Sequence, residues 1–134
     1  MSDPQLPDLD AEEVAQITEK LNSEVRRGSL VLAVLAQLQT EHYGYSLRKA
    51  LADHGVQVEE GTLYPLVRRL ENQGLLASEW REEARRKKRF YRLSPLGHVV
   101  FGELHQTWQT LNDGLSRILN EHTTATDGET DATS

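Results

Sequence analysis

Two groups of side chains could do chemistry, and both suit a polyanion better than bond making. One is the run Arg85, Arg86, Lys87, Lys88 and Arg89, followed by Arg92. Flexible cations at that density neutralise phosphates and can enter a narrow minor groove. The other lies in GTLYPLVRRLENQG, residues 61–74. A helix that turns Leu63, Leu66, Val67 and Leu70 inward leaves Pro65, Arg68, Arg69 and Asn72 on its outer face. The free N–H groups at the start of such a helix favour an anion. Gly61 there allows close backbone approach, while the Thr62 hydroxyl and the Tyr64 phenol can donate to phosphate oxygens. Arg68 could reach a guanine edge bidentately in the major groove. Either group alone is equally a solvated charged surface; the pair together points to DNA.

Other chemistries lack their residues. The chain has no cysteine, which excludes a disulfide scaffold, thiolate zinc sites and a cysteine nucleophile. His42, His54, His98, His105 and His122 are scattered, and His98 and His105 have no third ligand to complete a metal pattern. No metal and no cofactor are expected. Glu59-Glu60 and Glu82-Glu83 are neighbours whose side chains diverge, unlike a general acid/base pair. There is no Walker loop, nucleophile elbow or HExxH, so an enzyme is not expected. The opening MSDPQLPDLDAEE is acidic and has no apolar core, unlike a signal peptide. The longest apolar run, Leu30 to Ala36, is too short to span a bilayer. The expected location is cytoplasmic, with no membrane partner.

The elements that must position these groups follow from periodicity. With 134 residues, 37% hydrophobic and 27% charged, the chain suits one folded domain. Residues 1–9 read as a flexible leader. Asp10 and Glu13 form a capping-box arrangement opening a helix over 10–27, with Val14, Ile17, Leu21 and Val25 on one stripe. Gly28 is expected to end it, and Ser29 to cap a second, nearly all-apolar helix, SLVLAVLAQLQ. A turn-like stretch at His42–Gly44 leads to the short helix YSLRKALADHG, stopped at Gly55. After the extended VQVEE comes the helix already described. Pro65 is harmless in a first turn, which predicts a start near Gly61 or Thr62.

The period then changes. LLASEWR and RFYRL read as strands of a hairpin around EEARRKK, a charged and mobile tip, with Trp80 packed between hairpin and helix. Ser94-Pro95 opens a terminal helix over 94–122. In it Leu104, Trp108, Leu111, Leu115 and Ile118 keep the four-three-four-three spacing of a coiled-coil seam. Gly97, Gly102 and Gly114 each cost such a helix up to about 1 kcal/mol, so it needs a partner surface. Residues 123–134 read as a disordered acidic tail.

Net charge is −6, which for the whole chain argues against nucleic acid. Resolved along the sequence it is −4 over residues 1–28, +4 over 46–92 and −4 over 120–134. The basic segment is internal and flanked by acidic ends. The order helix, helix, helix, hairpin, long helix describes a winged helix-turn-helix. The fold class is mainly α with a small β-hairpin: a winged domain at 28–93 between an N-terminal and a C-terminal helix.

The series GYSLRKAL, GTLYPLVRRLENQGLLASEW and RRKKRFYRLSPLGH closely resembles the N-terminal domain of PadR-family transcriptional regulators. The likeness covers roughly residues 28–108, including Thr62-Leu63-Tyr64-Pro65-Leu66, Arg69-Leu70-Glu71, Trp80 and Tyr91-Arg92-Leu93-Ser94 with Gly97. It implies a homodimeric winged-helix protein, most often a repressor, on a pseudo-palindromic operator in double-stranded DNA. A single helix after the wing resembles the short form of the family. Tyr45 resembles the family tyrosine near the DNA backbone; Thr62 and Tyr64 resemble the phosphate-contacting helix start. Lys87, Lys88 and Arg89 match the basic wing. The resemblance assigns dimerisation to the N- and C-terminal helices, where Val14, Ile17 and Leu21 with the seam would form the dimer. Trp108 matches an aromatic that ligand-responsive members place at the dimer interface, implying a planar aromatic effector. Family wings often carry Gly or Pro before the basic residues; EEARRKK does not. The alternative is a winged-helix ligand-sensing or protein-interaction module without DNA as its main partner.

Overall fold

A computed structural model of the chain describes residues 8–126 and has seven elements. They are α1 (Ala11–Gln37), β1 (His42–Tyr43), α2 (Gly44–Asp53), α3 (Glu60–Asn72), β2 (Leu76–Glu83), β3 (Arg86–Leu93) and α4 (Pro95–Thr126). The leader up to residue 7 and the tail from 127 lie outside the described residues.

Asp10 caps α1, its carboxylate accepting from the Glu12 N–H at 3.0 Å. The helix does not end at Gly28: one helix of 27 residues replaces the two expected. Ser29 is no cap, because its hydroxyl donates back to the Val25 carbonyl at 3.4 Å and is satisfied inside the helix. The glycine costs about 1 kcal/mol in a helix interior. Burial of Val34 and Leu35 in the same helix, and of Leu38 at its C-cap, outweighs that cost. The expected boundary between terminal helix and winged domain therefore falls inside a continuous element.

Leu38, Leu47, Leu51, Leu63, Val67, Leu70, Leu76 and Leu93 close the core beneath that helix end. Two glycines set the geometry of the middle helices. Gly55 (φ +85°) and Gly74 (φ +83°) adopt the left-handed conformation after α2 and α3. In each case the paired Schellman bonds are present: Gly55 N–H to Ala52 and Val56 N–H to Leu51, then Gly74 N–H to Glu71 and Leu75 N–H to Leu70. At the start of α4 the Ser94 hydroxyl accepts from the Gly97 N–H at 3.0 Å and donates to the Gly74 carbonyl at 2.6 Å. Pro95 occupies the first helical position, as the Ser-Pro signal requires. The helix extends to Thr126, four residues past the expected end at 122.

The sheet has three strands rather than a hairpin alone, in the order β1-β3-β2. The stretch read as a turn places His42 opposite Tyr91 and Tyr43 opposite Phe90. Two residues carry no period, so the sequence offered nothing to detect. The β2–β3 pairing runs unbroken from Leu76↔Leu93 to Glu83↔Arg86. EEARRKK is thus mostly strand. The turn is Ala84-Arg85 alone, with φ of 52° and 67°, the positive values that a type I′ hairpin needs to match strand twist.

Candidate nucleic-acid interface

α3 buries Leu63, Val67 and Leu70 and half-buries Leu66 and Tyr64. Gly61, Thr62, Pro65, Arg68, Arg69 and Asn72 are exposed. The helix begins at Glu60, earlier than expected, so Pro65 lies in its second turn and cannot donate to the Gly61 carbonyl. Gly61 is exposed, so water can serve that oxygen. The early start also changes the electrostatics. Glu59 is the N-cap residue and Glu60 the first helical one, and Glu60 is paired with Arg48 of α2 at 2.7 Å. The helix start is therefore flanked by carboxylates. Arg48 is the cation standing beside it, and the sequence reading did not single it out. Its signal was the spacing within YSLR, which sets Arg48 one helical turn beyond Tyr45. Tyr45, Arg48, Lys49, Glu59 and Glu60 line one cleft between α2 and α3.

Tyr45 itself is exposed and stacks on Tyr43, with ring centroids 6.5 Å apart. Tyr64 is less available than its position suggested. A β-carbon on Gly44 would stand 3.1 Å from the Tyr64 hydroxyl, so that glycine is the space in which the phenol lies. Between α3 and the sheet is a groove of about 300 Å³ whose walls include Tyr43, Tyr64, Arg68, Trp80, Lys88 and Tyr91.

The wing cations divide into two sets. Arg89 Nη2 lies 2.9 Å from a Glu71 carboxylate oxygen on α3, and its Nε donates to the Ser78 hydroxyl at 3.0 Å. Lys88 is 3.4 Å from Glu83 and sits 4.2 Å over the Tyr43 ring. Arg81 binds Glu41 through both terminal nitrogens and also Glu79, while Arg92 pairs with Glu79. Arg85, Arg86 and Lys87, at the turn and its flank, take part in none of the ion pairs among the described residues and are exposed. The charges respond accordingly. The Ser78 hydroxyl, and after it Arg89, hold the Glu71 carboxyl below its ordinary range. The Glu71 carboxylate in turn raises the Arg89 guanidinium. Trp80 is not packed between wing and helix; it is 60% exposed, with the Arg89 guanidinium 5.4 Å from its ring centre.

Away from this face, α4 packs on the core as far as Phe101. Beyond it Leu104, Trp108, Leu111, Leu115 and Ile118 are exposed, as are Val14, Ile17, Leu21 and Val25 of α1. His105 stacks on Phe101 at 5.7 Å and lies 6.5 Å from Trp108. Among the described residues no three His, Cys, Asp or Glu side chains gather as a metal site, and no helix is long and apolar enough to cross a membrane.

Comparison with known proteins agrees with this architecture. The family model of PadR-like transcriptional regulators matches residues 31–103. The crystal structure of a PadR family transcriptional regulator from Eggerthella lenta is 46% identical, with a TM-score of 0.73, and the match covers 81% of this chain and 97% of that one. A PadR-like transcriptional regulator from Bacillus cereus is 26% identical with a TM-score of 0.66, over 72% of this chain and 96% of its own. Transcriptional regulator Rv3488 of Mycobacterium tuberculosis is 40% identical over 81 residues, 60% of this chain and 76% of the relative.

Proposed function

This chain belongs to the PadR-like family of transcriptional regulators rather than to any class of enzyme, and from that premise we propose that it is a homodimeric repressor of a pseudo-palindromic operator. The observation that carries the reading is the division of its cations. Arg68 and Arg69 face outward on α3, and Arg85, Arg86 and Lys87 stand unpaired at the wing. In this reading α3 enters the major groove, with Arg68 on a base edge and Thr62, Tyr64 and Tyr45 along the backbone. Gly61 and Pro65 give the backbone close approach, Arg69 adds a phosphate contact, and the wing holds the neighbouring strand. Lys88 and Arg89 stand behind these contacts. The protein works in the cytoplasm.

The dimer is made by the apolar stripes of α1 and α4, which single chains leave in water. Pairing them would set the two recognition helices about one helical turn, roughly 34 Å, apart. Trp108, 43% exposed and beside His105, would then meet its copy across the interface. A planar aromatic effector fits between them. Quenching of tryptophan emission by such compounds should vanish in Trp108→Phe and persist in Trp80→Phe.

A gel-shift titration against DNA upstream of its own gene tests the repressor. Retardation at low salt is expected, and Arg68→Ala should weaken specific binding far more than non-specific binding. Equal losses would make Arg68 a phosphate contact, and no retardation of any such fragment would remove DNA as the partner.

A further inference from the structure

We propose that Arg89 is a positioning residue and not a phosphate ligand: with Ser78 and Glu71 it fixes the wing against the recognition helix. The inference rests on the DNA-binding reading above and assigns one of the wing's cations a different role within it.

Three polar groups close a ring. Arg89 Nη2 donates to Glu71 Oε2 at 2.9 Å, Arg89 Nε donates to Ser78 Oγ at 3.0 Å, and Ser78 Oγ donates to the same Glu71 oxygen. One edge of the guanidinium fork is thereby consumed. Its face is held as well, 5.4 Å from the Trp80 ring and 5.8 Å from the Tyr91 ring. Trp80 stands directly across from Arg89 in the register, and Ser78 directly across from Tyr91, so these four side chains share one face of the hairpin. Glu71 belongs to α3, in its last turn, next to Asn72 and one turn beyond Arg68. The ring therefore ties the middle of the wing to the end of the helix whose outer face carries Arg68 and Asn72. It is half-buried, with side-chain exposures of 38% for Arg89 and 22% for Glu71, which shields it from water and salt more than the tip. Arg85, Arg86 and Lys87 have no such partners, and those cations remain for phosphates. An angle between wing and helix set in advance lets both reach one duplex without ordering a loose hairpin on binding.

The sign of one substitution separates this role from the simpler one. A lone carboxylate near DNA repels it, so removing Glu71 should then strengthen binding. If Glu71 anchors the clamp, removing its charge weakens binding. The experiment uses the full-length protein and a duplex that the wild-type chain selects from a randomised pool. Glu71→Gln should lose about fivefold in affinity with the slope of log affinity against log salt unchanged, because no phosphate contact is removed. Arg89→Lys keeps the charge but not the fork, and should lose about as much. The double variant should be no worse than either single one. Equal or tighter binding by Glu71→Gln overturns the clamp. So does full activity of Arg89→Lys, or a salt slope that falls by about 1.8 in Arg89→Ala, as for one lost phosphate contact of about 0.9 in each of two chains. A second readout needs no DNA. In a Trp108→Phe background Trp80 is the sole tryptophan, and Glu71→Gln should shift its emission and lower its anisotropy; an unchanged signal contradicts the clamp. If the wild type selects no duplex, the DNA-binding reading falls, and Trp80 alone decides the clamp.

Discussion

A β-carbon at Gly97 would sit 2.0 Å from the Leu75 carbonyl oxygen, a distance at which backbone must move. The first turn of α4 lies directly on the strand entry that follows α3, and only hydrogen fits between them. At Gly28, in the middle of α1, nothing stands within 4 Å. The sequence presents Gly97 inside a helical pattern and Gly28 as a helix stop, yet both lie inside helices, where propensity assigns each the same cost of up to about 1 kcal/mol. Their substitutions should go opposite ways. Gly97→Ala is expected to destabilise by roughly 1–3 kcal/mol, and Gly28→Ala to stabilise by up to about 1 kcal/mol, both read by denaturant unfolding. The same contrast governs the basic residues. Arg85 and Arg89 are alike in a run of cations, yet one is an exposed turn residue and the other is engaged by Glu71 and Ser78. Sequence distance to Glu71 is 18 residues, so no local pattern could have revealed the pair.

Among the elements, those with chemical punctuation were legible in advance. Asp10, Ser94-Pro95, Gly55 and Gly74 mark helix ends where the structure has them, because each residue type performs a backbone task no other does as cheaply. The errors fall where that punctuation was ambiguous. Gly28-Ser29 looked like a stop and a cap, but burial farther along α1 carried the helix through. EEARRKK has no Gly, Asn or Pro and looked like a long tip, yet Ala84 and Arg85 are held with positive φ to close a tight turn. Each such residue costs roughly 1–2 kcal/mol relative to right-handed backbone. Two substitutions follow. Ala84→Asn should stabilise the hairpin by about 1 kcal/mol without altering its charge. Arg85→Gly should stabilise it comparably but lower the salt slope of DNA binding. Amide exchange of β2 and β3 and a salt titration would read the two effects separately; loss of stability in Ala84→Asn would contradict the turn geometry.

The whole molecule concentrates its positive charge and its apolar surface on different parts. Nine of the fifteen Lys and Arg residues lie on α3 and the wing, whereas most of the exposed leucines, valines and isoleucines line α1 and α4. That distribution explains how a chain of net charge −6 can offer a positive face. In the proposed dimer it would also couple assembly to binding, since a symmetric operator contacts two wings only when two chains are joined. Leu111, 66% exposed, is a fitting probe. Leu111→Glu should convert a sedimenting dimer into monomers that keep their helicity but bind a selected duplex at least about tenfold more weakly, through loss of the second, linked contact. A variant that stays dimeric, or binds undiminished as a monomer, would show that the seam on α4 is not the interface.

In the proposed complex the exposed arginines of α3 and the unpaired cations of the wing hold DNA in pairs of chains. Fluorescence anisotropy of a selected duplex, titrated with the full-length protein across a range of salt, tests it most directly. If Arg69, Arg85, Arg86 and Lys87 of two chains each neutralise a phosphate, binding should saturate at two chains per duplex. The logarithm of affinity should then fall with the logarithm of salt with a slope of roughly seven. Saturation at a single chain, or an affinity that salt leaves unchanged, would contradict it.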